Sequence, residues 1–293
     1  MKTADRFSAR SLLAGIAATL VIAGAAFSLP SANAQQGQTA PKQTTEATTT
    51  PPAEPASKGI PVPDMPVVKT ETLEGGLIVE DLKIGDGYEI KAGDAVVAFY
   101  HGTRKSDGHV FDSAFNRGEP LGFSLNGVIQ GWSKGVPGMK VGGIRRLTIP
   151  SALGYGATGS GPDIPANTDL VFVIQIVDAL HVEDVHPGTG AEVGDSFVAV
   201  TTHTTTDKDG KEVEKADAAN PCVWIPNEYM VQRRFDLMAI AMKGMKIGGT
   251  RKVHLPAGLN QPNPGLSSTR PGNIDLNIEL TLVALRNLPS RGR

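Results

Sequence analysis

The chain repeats itself, and that constrains its fold more than any other feature. Val136-Pro137-Gly138-Met139-Lys140-Val141-Gly142-Gly143 recurs as Met242-Lys243-Gly244-Met245-Lys246-Ile247-Gly248-Gly249, 106 residues further on. At the same offset of 106, Leu147-Thr148-Ile149-Pro150 matches Val253-His254-Leu255-Pro256, and Pro165-Ala166-Asn167 matches Pro271-Gly272-Asn273. Gly93-Asp94 matches Gly194-Asp195 at an offset of 101, which implies a net five-residue insertion in the second copy. We read one copy over residues 70–181 and the other over 182–288, followed by a tail at 289–293. Units of this length are tandem domains rather than turns of a solenoid.

Within the first copy, Ala95–Tyr100, Ile144–Ile149 and Leu170–Val177 carry the β-branched and aromatic runs of strands, separated by Gly and Pro clusters. No long amphipathic helix lies between them. The expected fold is α+β and β-rich, with at most one short helix in each unit.

The N-terminal segment reads as a signal peptide. Lys2, Arg6 and Arg10 precede an uncharged apolar stretch from Ser11 to Leu29, and Ser31-Ala32-Asn33-Ala34 supplies small residues at a cleavage spacing. The expectation is cleavage after Ala34 and export, to a periplasm or to the outside. The alternative is an uncleaved membrane anchor, because the stretch is nearly long enough to span a bilayer. Residues 35–69 read as a disordered tether; up to residue 58 they hold no aromatic and no aliphatic larger than Ala, too little apolar surface to offset ordering entropy. The 28 Lys and Arg nearly balance 30 Asp and Glu, so no basic excess points to nucleic acid. Cys222 is the sole thiol, which excludes an intramolecular disulfide and a cysteine-rich zinc site.

Two motifs mislead. Gly131-Trp132-Ser133-Lys134-Gly135 fits the nucleophile elbow of serine hydrolases, but Pro137 and Gly138 follow too soon for the helix that motif needs. Gly154-Tyr155-Gly156-Ala157-Thr158-Gly159 fits a dinucleotide loop, yet Pro162 and Pro165 follow where a helix should open. The six histidines show no ligand spacing and are expected at the surface or in loops, and Cys222 reads as a packed thiol.

Aromatic residues are unevenly shared. Nine fall between residues 70 and 180 but four between 183 and 287, so the surplus suggests an aromatic-lined cavity in the first copy. In order, that copy carries Val97-Ala98-Phe99-Tyr100-His101-Gly102, Gly108-His109-Val110-Phe111-Asp112-Ser113, Val128-Ile129-Gln130-Gly131-Trp132, Leu147-Thr148-Ile149-Pro150, Tyr155-Gly156-Ala157-Thr158-Gly159 and Ile164-Pro165-Ala166-Asn167-Thr168. It resembles an FKBP-type peptidyl-prolyl cis-trans isomerase domain. The resemblance implies a curved antiparallel sheet wrapped around a short helix.

It also implies a site. Trp132 would be the floor, Tyr100, Phe111 and Phe172 the walls, and Val128, Ile129 and Ile164 the aliphatic rim. The Tyr155 hydroxyl and the Ile129 N–H would bond substrate carbonyls. Asp112 would be a polar wall residue, and Arg117 would support it. The sequence departs from the family at Leu121, which stands at an aromatic wall position, and at Ser160 and Asp163, where the best-known members carry His and an aliphatic. The implied partners are proline-containing unfolded or extended polypeptides, with macrolides as inhibitors. No metal, nucleotide or other cofactor is implied, nor any lasting membrane insertion once the signal is cleaved. A non-catalytic peptide-binding or chaperone module on the same scaffold is the alternative.

The second copy keeps the strand pattern and is expected to have lost this site. The matched blocks put Met238 at Trp132, Gln261 at Tyr155, Arg270 at Ile164 and Ile278 at Phe172. The Gly-Asp anchor puts Thr201 at Tyr100, with Val213-Glu214 near Phe111-Asp112. Polar Thr, Gln and Arg would keep such a site wet. Thr206 to Lys215 reads as a polar surface loop.

Overall fold

Strands β1 (Lys69–Leu73), β2 (Leu77–Lys83), β3 (Ala95–Arg104), β4 (Val110–Ser113), β5 (Leu121–Ser124), β6 (Ile144–Ile149) and β7 (Leu170–Ala179) form one antiparallel sheet in a computed structural model of the chain. The order is β1-β2-β6-β7-β3-β4, with β5 also paired to β3. A second antiparallel sheet contains β8 (His181–His186), β9 (Phe197–Asp207), β10 (Glu212–Ala216), β11 (Cys222–Trp224), β12 (Thr250–Leu255) and β13 (Leu276–Asn287). Its order is β10-β9-β13-β12-β8, with β11 also on β9. The structure describes residues 59–224, 237–259 and 273–288. The signal segment, the tether before residue 59, Gln261, Arg270 and the tail lie outside them.

Strand β3 positions the site because it changes partner along its length. Its first half, Ala95–Ala98, pairs with β5, and its second half, His101–Thr103, pairs with β4. Side chains from β4 and β5 therefore reach one face of the same strand. Helix α2 (Gln130–Gly135) packs against β2 and β6 of the same sheet. Its glycines allow the approach: a Cβ at Gly131 would stand 2.5 Å from Ile149, and one at Gly135 2.8 Å from Leu147. Both glycines of the apparent nucleophile elbow thus serve helix–sheet packing, and Ser133 Oγ donates to the Leu125 carbonyl at 2.6 Å. Around α2 the core closes with Leu77, Leu147, Ile149, Leu170, Ile174 and Ile176, each fully buried and worth about 1.5–3 kcal/mol of transfer free energy.

The first unit holds more helix than expected. Besides α2 there is a single turn, α1 (Ala114–Arg117), capped by Ser113 Oγ accepting from Asn116 N–H at 3.1 Å, and a 3-10 turn at Ser151–Leu153. In the second unit the described helix is α3 (Leu237–Met242). Residues 59–68, expected in the tether, instead run along the first sheet. The Ile60 N–H bonds the Phe115 carbonyl and the Val68 N–H the Asp81 carbonyl, both at 2.7 Å. Ile60, Val62, Met65, Val67 and Val68 give this stretch the apolar surface that the preceding residues lack.

Local details recur from sheet to sheet. Arg145 Nε bonds Asp81 at 2.7 Å while Nη1 reaches the Gly135 and Pro137 carbonyls at the end of α2. Arg251 does the same with Asp184 and with the Ala241 and Lys243 carbonyls at the end of α3. Asn167 and Asn273 both adopt left-handed backbone, at φ 58° and 59°. The expected loop at Thr206–Lys215 is a hairpin: β9 and β10 pair across a turn where Asp207 accepts from the Asp209 and Lys211 N–H groups. The β-branched threonines of β9, at 201, 202, 204, 205 and 206, favour strand, which outweighs their polarity.

The two sheets meet along the outer face of β3. Ala95, Val97 and Leu180 are buried with Phe197, Leu259 and Leu282 of the second core, and a Cβ at Gly258 would stand 2.8 Å from Val97 Cγ1. Beside them the rings of Tyr88, His181 and His254 form a column, each 5.0 Å from the next. His254 Nε2 lies 3.3 Å from Asp178 Oδ2, and its Nδ1 3.3 Å from Asn277 Oδ1. The bond to Asp178 raises the His254 pKa above the usual imidazole value, although burial opposes it. Burial alone would raise Asp178, but His254 and the Ala179 N–H hold it below its usual value. The expectation that histidines lie at the surface is corrected here and at His203, which is 4% exposed on β9.

A raised histidine stabilises below its unfolded pKa and loses that contribution as pH rises through the folded one; a depressed aspartate does the reverse. The pair therefore supports the seam most strongly in mildly acidic solution and weakens as pH rises past neutrality. We expect His254→Gln to lower thermal stability near pH 6 by about 1 kcal/mol or less and to flatten its decline toward pH 8, as read by melting curves.

Candidate active site

A cavity of about 430 Å³ opens on the inner face of the first sheet, lined by Tyr100, Phe111, Asp112, Phe123, Gly127, Val128, Ile129, Trp132, Tyr155 and Phe172. Trp132 lies at its base, 4% exposed, with Tyr100, Phe123 and Phe172 ring centroids at 5.8, 5.4 and 5.4 Å. The Trp132–Phe172, Trp132–Tyr100 and Phe111–Phe172 pairs meet edge to face, an arrangement that fixes ring orientation. Gly102 of β3 makes room for that last pair: a Cβ there would stand 2.6 Å from Phe111 and 2.8 Å from Phe172.

One wall is polar. Tyr100 donates its hydroxyl proton to Asp112 Oδ2 and accepts from Arg117 Nη2 at 2.8 Å, while Arg117 Nη1 bonds Asp112 Oδ1. Burial alone would raise the Asp112 carboxyl, but hydrogen bonds from Arg117 and Tyr100 hold it below the usual carboxylate range. Burial and the bond to Asp112 push the Tyr100 phenol up to about 12. Burial and the Asp112 charge likewise raise Tyr155. Near neutrality Asp112 is thus anionic and both phenols are protonated. Asp112 is held as a fixed charge rather than as a base ready to take a proton.

Three of the sequence-derived residues, Leu121, Ile164 and Arg117, lie off this lining. Leu121 is 40% exposed on β5; Phe123, on the same face of that strand and two residues deeper, takes the wall. Ile164 is 5% exposed and belongs to the core cluster that underlies the cavity. Arg117 acts from behind Asp112. The sequence reading passed over Phe123 and Gly127, although the two-residue period of β5 made Phe123 a candidate as soon as Leu121 was one.

Register corrects the alignment of the second unit. In the first sheet Ile174 pairs with Tyr100; Leu280, its counterpart 106 residues on, pairs with His203. His203, not Thr201, therefore stands where Tyr100 does, and Thr201 takes the place of Ala98. Cys222 and Trp224 pair with β9 as Leu121 and Phe123 pair with β3, and Glu214 pairs with Thr205 as Asp112 pairs with Gly102. His203 Nε2 is 3.7 Å from Glu214 Oε1, and Trp224 Nε1 donates to Thr201 Oγ1 at 2.8 Å. Met238 and Ile278 are buried in the second core. Thr201 is wholly buried beneath Trp224, so it does not wet the site.

An aromatic cavity with one fixed carboxylate and phenolic donors suits binding and desolvation of a small ring flanked by amides. The comparisons agree on that class. A family model described as FKBP-type peptidyl-prolyl cis-trans isomerase matches residues 87–177. A probable FK506-binding protein of Corynebacterium glutamicum is 45% identical over 103 residues, 35% of this chain and 86% of that protein. An FK506-binding protein of Neisseria meningitidis is 45% identical over 105 residues, 35% of this chain and 95% of that protein. The crystal structure of FkpA from Escherichia coli, 43% identical, covers 38% of this chain and 51% of that one at a TM-score of 0.36. The chain belongs to the FKBP-type peptidyl-prolyl cis-trans isomerases.

Proposed function

We propose that the chain is an exported isomerase that accelerates X-Pro rotation in secreted or envelope proteins, and that the first-sheet cavity is where it does so. The single observation that carries the site is the convergence on one cavity of Trp132, Tyr100, Phe111, Phe172 and Tyr155 around an ionised Asp112. Rotation about an X-Pro bond breaks amide resonance, against a barrier of about 20 kcal/mol. A twisted amide has less charge separation than a planar one, so its carbonyl needs less solvation. Seating the proline on Trp132 among the rings disfavours the planar form more than the twisted transition state, which is catalysis by differential binding. The Ile129 N–H, at the entry to α2, and the Tyr155 hydroxyl hold the flanking carbonyls. No proton is transferred, so turnover should be nearly flat across the pH range in which Asp112 stays ionised.

A protease-coupled isomerisation assay on residues 35–293 tests the site. Tyr155→Phe removes one hydrogen bond, worth about 0.5–1.5 kcal/mol, and should lower kcat/KM about two- to tenfold with the fold unchanged. A variant as active as the parent would remove Tyr155 from the mechanism. Export is tested by fusing residues 1–40 to a reporter active only outside the cytoplasm. The second unit we read as a catalytically silent relative, with His203–Glu214 in place of Tyr100–Asp112 and Met238 in place of the indole floor, in a spacer or client-holding role.

A further inference from the structure

The loop that carries Tyr155 is rich in glycine. Gly156, Gly159 and Gly161 all have positive φ, at 59°, 68° and 62°, and open space surrounds the Cβ positions of Gly156 and Gly161. Inside, the loop is anchored by Ile164 in the core and by the Ser160 N–H to Ile164 carbonyl bond at 2.7 Å. Outside, it meets a ring of charged groups at the β3–β4 hairpin. His109 Nε2 lies 3.1 Å from Asp163 Oδ1, and Arg104 Nη1 lies 3.5 Å from the Asp163 carbonyl. Arg104 grips Asp107 with two bonds, at 3.0 and 2.7 Å, and Asp107 Oδ1 accepts the His109 N–H at 3.0 Å. The ring thus joins the end of β3, the hairpin that leads into Phe111 and Asp112, and the loop that presents Tyr155. These are the two edges of the cavity mouth.

We propose that Asp163 and His109 are positioning residues for the isomerase site: their contact clamps the Tyr155 loop to the β3–β4 hairpin and so fixes the Tyr155 hydroxyl over the bound peptide. The inference rests on reading the cavity as that site. Neither residue reaches the cavity lining, so the clamp acts on how well substrate is held rather than on the rotating bond. Both side chains are part-exposed, 42% and 60%, which sets a modest scale.

In the residue 35–293 protein, Asp163→Ala should raise KM for an X-Pro peptide about two- to fivefold while kcat changes little. His109→Lys, which keeps a nitrogen donor opposite Asp163, should stay within twofold of the parent, and His109→Ala should resemble Asp163→Ala. Exchange of the Gly156, Gly159 and Gly161 amides, followed by NMR without substrate, should quicken in both alanine variants. An unchanged KM in Asp163→Ala, or unchanged loop exchange, would overturn the clamp. Those outcomes are separable from failure of the site itself: if folded Trp132→Leu is fully active the site reading falls, whereas an impaired Trp132→Leu with an inert Asp163→Ala removes only the clamp.

Discussion

Trp132→Ala should lower kcat/KM by at least about tenfold and cost about 3–5 kcal/mol of stability. The indole is 4% exposed and lies against three other cavity rings, so its removal leaves a void that Tyr100, Phe123 and Phe172 cannot fill in their present orientations. The two effects separate in Trp132→Leu, which keeps much of the packing but not the flat surface for a proline. That variant should recover part of the stability and little of the activity. Recovery of both would make Trp132 a core residue and not the floor of a site.

Arg145→Leu should cost a similar 3–5 kcal/mol without touching the cavity. Arg145 and Asp81 are each 9% exposed, so the substitution strands a carboxylate in the interior and uncaps the Gly135 and Pro137 carbonyls at the end of α2. Its counterpart gives an internal control. Arg251 is 7% exposed, but Asp184 is 60% exposed and returns to water when the arginine is lost. Arg251→Leu should therefore cost only about 1–3 kcal/mol, chiefly for the two carbonyls it leaves. Each unit holds one tryptophan, Trp132 or Trp224, so urea titrations of single-tryptophan variants follow the two losses separately. Equal losses at the two arginines would contradict the account of the buried pair.

The sequence carried the repeat because the recurring blocks surround features that geometry enforces: the turn into β6 and β12, and the left-handed Asn167 and Asn273. It carried the cavity because a proline-sized aromatic pocket needs several large rings from separated segments, and the first unit holds most of them. What it hid has physical causes. An alignment slip of two residues leaves every side chain on the same face of a strand, so alternation along β9 could not distinguish Thr201 from His203 as the partner of Tyr100. A Gly-Asp dipeptide is too short to fix register, whereas pairing with Ile174 and Leu280 does. Leu121 was preferred to Phe123 by resemblance, but depth along β5 decides which of them meets the cavity. Thr206 to Lys215 read as one loop because the polarity of the turn at Asp207–Lys211 runs on into the strand residues on either side of it. The seam was hidden because Ala95 and Val97 look like ordinary core residues of β3, and only the fold shows that they are buried on its other side.

The central claim is that X-Pro substrate is bound in the first unit and not in the second. Titrating a short proline-containing peptide into isotope-labelled residue 35–293 protein, with backbone amide shifts recorded by NMR, tests it most directly. The account predicts that the shifts concentrate at Phe111–Asp112, Gly127–Trp132 and Tyr155, and that they vanish in Trp132→Ala wherever that variant is folded. Shifts of equal size around His203, Glu214, Trp224 and Met238, or their persistence in folded Trp132→Ala, would contradict it.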